Sequence, residues 1–222
     1  MVKNEDNHLK QFVIDFLEGR ISPKDFMIRF QKDEQLVTWL QSIVPKEKQC
    51  YVAVTDDREW TGYRHVAIPY DIKRAIGKSL EKIWDLGEQL NVHSEIATLF
   101  AEAFPEEKIE KNKTIENQFV FLITTCPNYV GGKEASELIS RILSNLPEEL
   151  SKTKRAKLFR ERIKDSFHLD GKHYPRWYQE PEWPFNNDKP MKFVSQASKS
   201  EIAFYLFVDV DTGDERVIKQ FT

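Results

Sequence analysis

Apolar and polar positions alternate with one period through most of the chain and with another near its end, and this change predicts an α+β fold. Leu9, Phe12, Val13, Phe16 and Leu17 recur at helical spacing, and Gly19 follows as a stop signal. Ser22-Pro23 then forms an N-cap and first-turn pair ahead of Phe26, Met27 and Phe30. Leu36, Val37, Trp39, Leu40, Ile43 and Val44 mark a third helix, which Pro45 ends. These three helices predict an N-terminal module over 1–45. It is too small to bury an adequate core unaided, so it is expected to lean on an α+β domain over 46–222.

Residues 50–54 are aromatic and β-branched and predict a strand. A polar turn at 56–59 and a second strand over 63–68 follow. Pro69 opens a long predicted helix carrying Ile72, Ala75, Ile76, Leu80, Ile83 and Leu90, and Ser94 begins another that Pro105 ends. Residues 106–113 are polar apart from Ile109 and predict an exposed loop. The apolar run 119–123 fits a strand or a helix equally well. Helices are expected over 134–146 and, strongly basic, over 147–167. Beyond Phe167 the period becomes two, in predicted strands over 191–196, 202–210 and 216–221, with turn chemistry at 209–214. The expected architecture is a mostly helical N-terminal two-thirds and a C-terminal antiparallel β-meander within 168–222.

Composition narrows the functional classes. With 222 residues, of which 40% are hydrophobic and 31% charged, the chain is globular rather than disordered. A net charge of −3 makes nucleic acid an unlikely partner, because no whole-molecule basic field exists to draw it in. Cys50 and Cys126 form no CxxC pair, and residues 1–6 lack the apolar segment of a signal peptide. A reducing cytoplasm is the expected setting, with no membrane association. Oligomeric state stays open.

Each chemical motif has a simpler reading beside it. Gly131-Gly132-Lys133 lacks both the upstream glycine and the following Ser or Thr of a phosphate loop, so it reads as a turn feeding a helix. His168, Asp170 and His173 are metal-capable, but zinc wants a spaced second pair of ligands or a rigid helix, and Gly171 lies among them. Asp209, Asp211 and Gly213 miss the calcium-loop spacing and read as a hairpin turn. No metal or cofactor is expected. Cys126, ending an apolar run, reads as a small buried hydrophobe rather than a nucleophile. Asp56, Asp57 and Glu59 with His65 offer the alternative of a hydrolase, against the simpler reading of a solvated acidic loop. No catalytic residue is assigned.

Two features point to binding. Arg155 and Arg160 lie in the basic stretch 152–164, an electrostatic contact for an acidic partner or for nucleic acid, or else a solvated face balanced by its own carboxylates. Residues 174–185 interleave Tyr174, Trp177, Tyr178, Trp183 and Phe185 with proline. Proline lowers the entropy lost on fixing an extended path, and Trp, Tyr and Arg dominate interface energetics. Trp177, Tyr178 and Trp183 are therefore candidate partner-binding anchors, the simpler reading being that the two tryptophans cover a sheet face.

The segments Trp177-Tyr178-Gln179-Glu180-Pro181-Glu182-Trp183-Pro184 and Lys189-Pro190-Met191-Lys192-Phe193-Val194-Ser195-Gln196 form a W-x-Q-x-P-x-W-P … K-P-M-x-F-x-x-Q pattern. It resembles a pattern in small bacterial proteins, some like immunity proteins of polymorphic toxin systems, and more distantly the W-P … P-L-x-F-x-x-Q stretch of the YwqG-like group. The resemblance covers about 50 C-terminal residues and carries no catalytic residue. It implies a stoichiometric inhibitor that covers a toxin's active site and needs no cofactor.

Overall fold

The structure is a computed structural model that describes residues 2–55, 63–110, 112–171 and 173–222, with side chains described from residue 6 and not over 51–65. It is an α+β protein, with most of its helices ahead of a C-terminal antiparallel sheet. The chain divides into two compact units, residues 1–116 and 117–222.

The first unit holds α1 (Val2–Leu17), α2 (Pro23–Lys32), α3 (Glu34–Ser42), the hairpin β1 (Gln49–Thr55) and β2 (Tyr63–Pro69), α4 (Ile72–Glu81) and α5 (Leu86–Ala103). Local chemistry fixes its helix ends. Gly19 turns the chain out of α1 at φ +82°, a conformation that glycine adopts without strain. The Ser22 hydroxyl accepts from the Asp25 N–H at 3.1 Å to start α2. Asp33 closes α2 and caps α3, accepting from the N–H groups of Gln35 and Leu36.

One expectation shifts here. The predicted long helix from Pro69 breaks at 82–85, where the Asp85 carboxylate takes the Glu88 N–H and starts α5, which then runs through Ser94 without interruption. Phe16, Phe26 and Leu40 from the first three helices share one core with Ile76, Ile96, Leu99 and Phe100. Forty residues bury too little apolar surface to close a core of their own, and α4 and α5 supply the remainder.

The second unit takes in most of α6 (Thr114–Thr125), then α7 (Lys133–Ser144) and α8 (Lys152–Ser166). The run 119–123 is helical: Phe121 and Leu122 pack on the core while Val120 and Ile123 face out, a helical rather than a period-two division. The basic helix starts at Lys152, where the Ser151 cap sets it, rather than at 147. A short hairpin follows, β3 (Phe185–Asn186) with β4 (Lys189–Pro190). Its two-residue turn places Asn187 and Asp188 at φ +47° and +62°, the left-handed region these residues tolerate. The meander β5 (Lys192–Lys199), β6 (Ile202–Val208) and β7 (Glu215–Phe221) pairs in the order β5-β6-β7, with a bulge at Val194.

Candidate interaction surface of the C-terminal unit

Alternation along β6 separates two faces. Ala203, Tyr205 and Phe207 are buried, while Ile202, Phe204, Leu206 and Val208 between them are partly exposed. The buried set meets Trp183, Phe159, Phe167 and Met191 in the core.

The proline-aromatic segment lies across this inner face and is fastened to it by polar groups. The Tyr205 hydroxyl donates to the Arg176 carbonyl and accepts from the Tyr178 N–H, both at 2.9 Å. Gln220, almost fully buried, accepts the N–H groups of Tyr178 and Gln179 at 3.0 Å and donates to the Glu180 carbonyl at 2.9 Å. A buried amide that satisfies three backbone groups of an irregular segment replaces the ladder which that segment lacks. The Trp177 indole N–H reaches the Tyr129 carbonyl at 2.8 Å, and its ring lies 4.5 Å from that of Tyr205. The Trp183 indole N–H reaches the Met191 carbonyl at 2.8 Å.

These contacts sort the candidate anchors. Trp183 is only 2% exposed and packs edge-on against Phe167 and Phe207. It belongs to the core and offers a partner almost no surface, because a strand-like segment crossing an apolar face sends its largest ring inward. Trp177 is half-buried, and Tyr178 is 40% exposed. Beside Tyr178's segment, His173, Tyr174 and Arg176 with Phe193, Val194, Ser195 and Gln196 of β5 line an open groove of about 500 Å³. The Gln196 side chain accepts the Arg176 N–H at 2.7 Å and holds one wall of it.

The outer face is apolar where an antiparallel sheet of this kind is ordinarily polar. Across β7, Leu206 pairs with Val217 and Ile202 with Phe221; across β5, Phe204 pairs with Ala197. Paired residues share a face, so Ile202, Phe204, Leu206, Val208, Val217 and Phe221 form one continuous apolar surface. Val217 is 49% exposed and Phe221 54%. Lysines frame this face: Lys192 beside Val208, Lys199 beside Ile202, and Lys219 beside Phe204, its ammonium 5.7 Å from the ring centre. Sequence reasoning had passed over this surface. Its signal was β6 itself, which is apolar at both parities in a meander where one parity should face water.

The remaining motifs resolve into structural roles or fall elsewhere. Gly132 caps α7 at φ +100°, and a Cβ on Gly131 would stand 2.9 Å from the Pro181 ring, so this pair admits the chain that leads into Trp183. The Gly131 carbonyl takes the Trp183 N–H at 2.9 Å. Asp209 organises the β6–β7 turn: its Oδ1 accepts from Asp211 and Thr212 N–H at 2.7 and 3.0 Å, and its Oδ2 from the Asn186 amide at 2.6 Å. The Thr212 and Asp211 amides hold its carboxyl below the usual carboxylate range. Burial pushes the Cys126 thiol up to about 12, which keeps it protonated and a poor nucleophile at neutral pH. Asp170 accepts the His173 N–H in a local turn, and no cluster of three metal-capable side chains occurs among the described residues.

Arg160 is exposed and reaches the Thr124 carbonyl at 3.4 Å, while Arg155 is half-buried with its guanidinium 5.7 Å from the Phe121 ring. Both therefore brace α8 against α6. Asp56, Asp57 and Glu59 lie outside the described residues, as does the side chain of His65. Among the described residues no helix is long and apolar enough to cross a membrane.

No family model matches this sequence, and neither a search of curated proteins nor one of solved structures returns a significant match.

Proposed function

We propose that this chain is a non-enzymatic, cytoplasmic protein-binding protein of the immunity type, which inhibits a toxin by covering it. The outer face of β5–β6–β7 carries this reading: it holds two side chains about half exposed, Val217 and Phe221, in an apolar surface continuous across β6 and β7. Contiguous apolar surface of this kind marks interaction sites, because covering it releases ordered water at little conformational cost when the sheet beneath is already rigid. The groove beside β5, with Tyr174 and Arg176 on its wall and Tyr178 nearby, supplies the polar and aromatic rim that interfaces use for orientation. The W-x-Q-x-P-x-W-P resemblance supports a toxin as the partner.

The test is co-expression with the polypeptide encoded immediately beside this one. A one-to-one complex that protects the cell, and is lost in Val217→Asp while the variant keeps its fold, supports the proposal. Failure of that pair to associate, or product turnover that depends on His65, overturns it.

A further inference from the structure

We propose that the surface docking on the outer sheet face is acidic: an apolar stripe flanked by carboxylates, belonging to another protein. This rests on the reading of that face as the docking surface and adds the chemistry of what it meets. Among the side chains that the strand register places on this face, Lys192, Lys199 and Lys219 are countered by Glu215 alone. All three lysines are exposed. They stand at separate points of the apolar surface, Lys192 and Lys199 along the β5 border and Lys219 within β7. A partner must place carboxylates opposite them or leave positive charge facing an apolar contact, which costs desolvation without return.

The same arrangement weighs against two other occupants. A second copy laid face to face would bring six lysines against two glutamates, and like charges across an interface are repulsive. An anionic bilayer would be attracted by the lysines, but the whole chain carries a net charge of −3. The apolar residues of β6 are also only partly exposed.

The probes are two synthetic amphipathic helical peptides with the same leucine stripe, one flanked by glutamate and one by lysine, titrated into the intact chain and followed by amide shifts. The expected result is saturable binding of the glutamate peptide, with shifts at Leu206, Val217, Lys219 and Phe221. Affinity falls steeply as salt rises, and the preference reaches at least about tenfold over the lysine peptide. In the triple variant K192E/K199E/K219E, whose circular dichroism and melting should match the parent because all three side chains are exposed, the preference inverts. If that variant does not fold, Lys219→Glu alone should reduce the preference.

Equal or stronger binding of the lysine peptide overturns the inference. So do shifts that map elsewhere, no binding of the glutamate peptide, capture by phosphatidylglycerol vesicles in preference to it, or self-association abolished by Val217→Asp. The co-expression test asks for a complex whatever the charge of its partner, so the broader reading can stand while the acidic chemistry proposed here falls.

Discussion

Alternate residues of β6 compare two surfaces made from nearly the same material. Ala203, Tyr205 and Phe207 face inward, and Ile202, Phe204, Leu206 and Val208 face outward; both sets are apolar. The difference lies in what meets them. Inside, the Trp177 ring lies tilted against Tyr205 and Trp183 meets Phe207 edge-on, and Gln220 and the Tyr205 hydroxyl satisfy the backbone of the covering segment. Outside, within the chain, the same kind of side chain has lysines at its margins. Apolarity alone does not distinguish a core from a docking surface. The polar groups do: an inner face needs partners for each buried N–H and C=O, while an outer face needs only charge at its border.

The largest expected effect breaks the inner face. Trp183→Ala removes a ring that fills the space between Phe167 and Phe207, together with the indole N–H held by the Met191 carbonyl. It should destabilise the protein by about 3–5 kcal/mol, read by urea unfolding. A loss under about 1 kcal/mol would mean that the ring is not a core element, and would return Trp183 to the candidate anchors.

A smaller effect separates packing from polar satisfaction. Gln220→Leu keeps the volume and removes the acceptor for the Tyr178 and Gln179 N–H groups and the donor to the Glu180 carbonyl. A cost of about 1–3 kcal/mol is expected, with faster amide exchange at Tyr178 and Gln179. Unchanged exchange there would show that water already serves those groups.

The α+β class, the helix start at Ser22 and the turn at 209–214 were legible in the sequence because each rests on local chemistry: a hydroxyl cap, a carboxylate that gathers nearby amides. Positions set by distant parts of the chain were not. The break at 82–85 depends on Asp85 as a cap in a stretch whose apolar spacing continues across it. Gly131 and Gly132 looked like a failed phosphate loop; their use is set by Pro181 and Trp183, fifty residues away. Trp183 and Tyr178 were indistinguishable as anchors in sequence, since only the strand beneath decides which ring turns inward. The outer face was visible in principle as the double-parity apolar run of β6. Its reading required the register with β7, which brings Val217 and Phe221 alongside.

The turn that joins the two outer-face strands should carry a pH signature. The Asp209 carboxyl is held below its ordinary value of 3.8 by the Thr212 and Asp211 amides, with the Asn186 amide and Lys189 adding to the effect. A carboxyl lowered in the fold stabilises it fully above the unfolded value, and that contribution fades as pH falls through the folded value. Asp209→Asn should therefore be less stable than the parent at pH 7, and the gap should narrow below about pH 4. A gap that stayed constant down to pH 2 would assign the loss to turn geometry rather than charge.

The smallest effect is the one that most sharpens the comparison. Val217 pairs with Leu206 on the outer face and is about half exposed, so Val217→Thr exchanges a methyl for a hydroxyl that water can reach. Threonine keeps the β-branch that suits a strand. The expected change in unfolding free energy is within about 0.5 kcal/mol, as for surface substitutions generally. The same exchange on the inner face would place an unpaired hydroxyl in the core and cost several times more. If Val217→Thr left stability unchanged yet weakened the complex with the co-expressed polypeptide, this residue would be spent on binding rather than folding. A loss of about 2 kcal/mol would instead show that the outer face is already packed against something within the fold, and the distinction between the two faces of β6 would collapse.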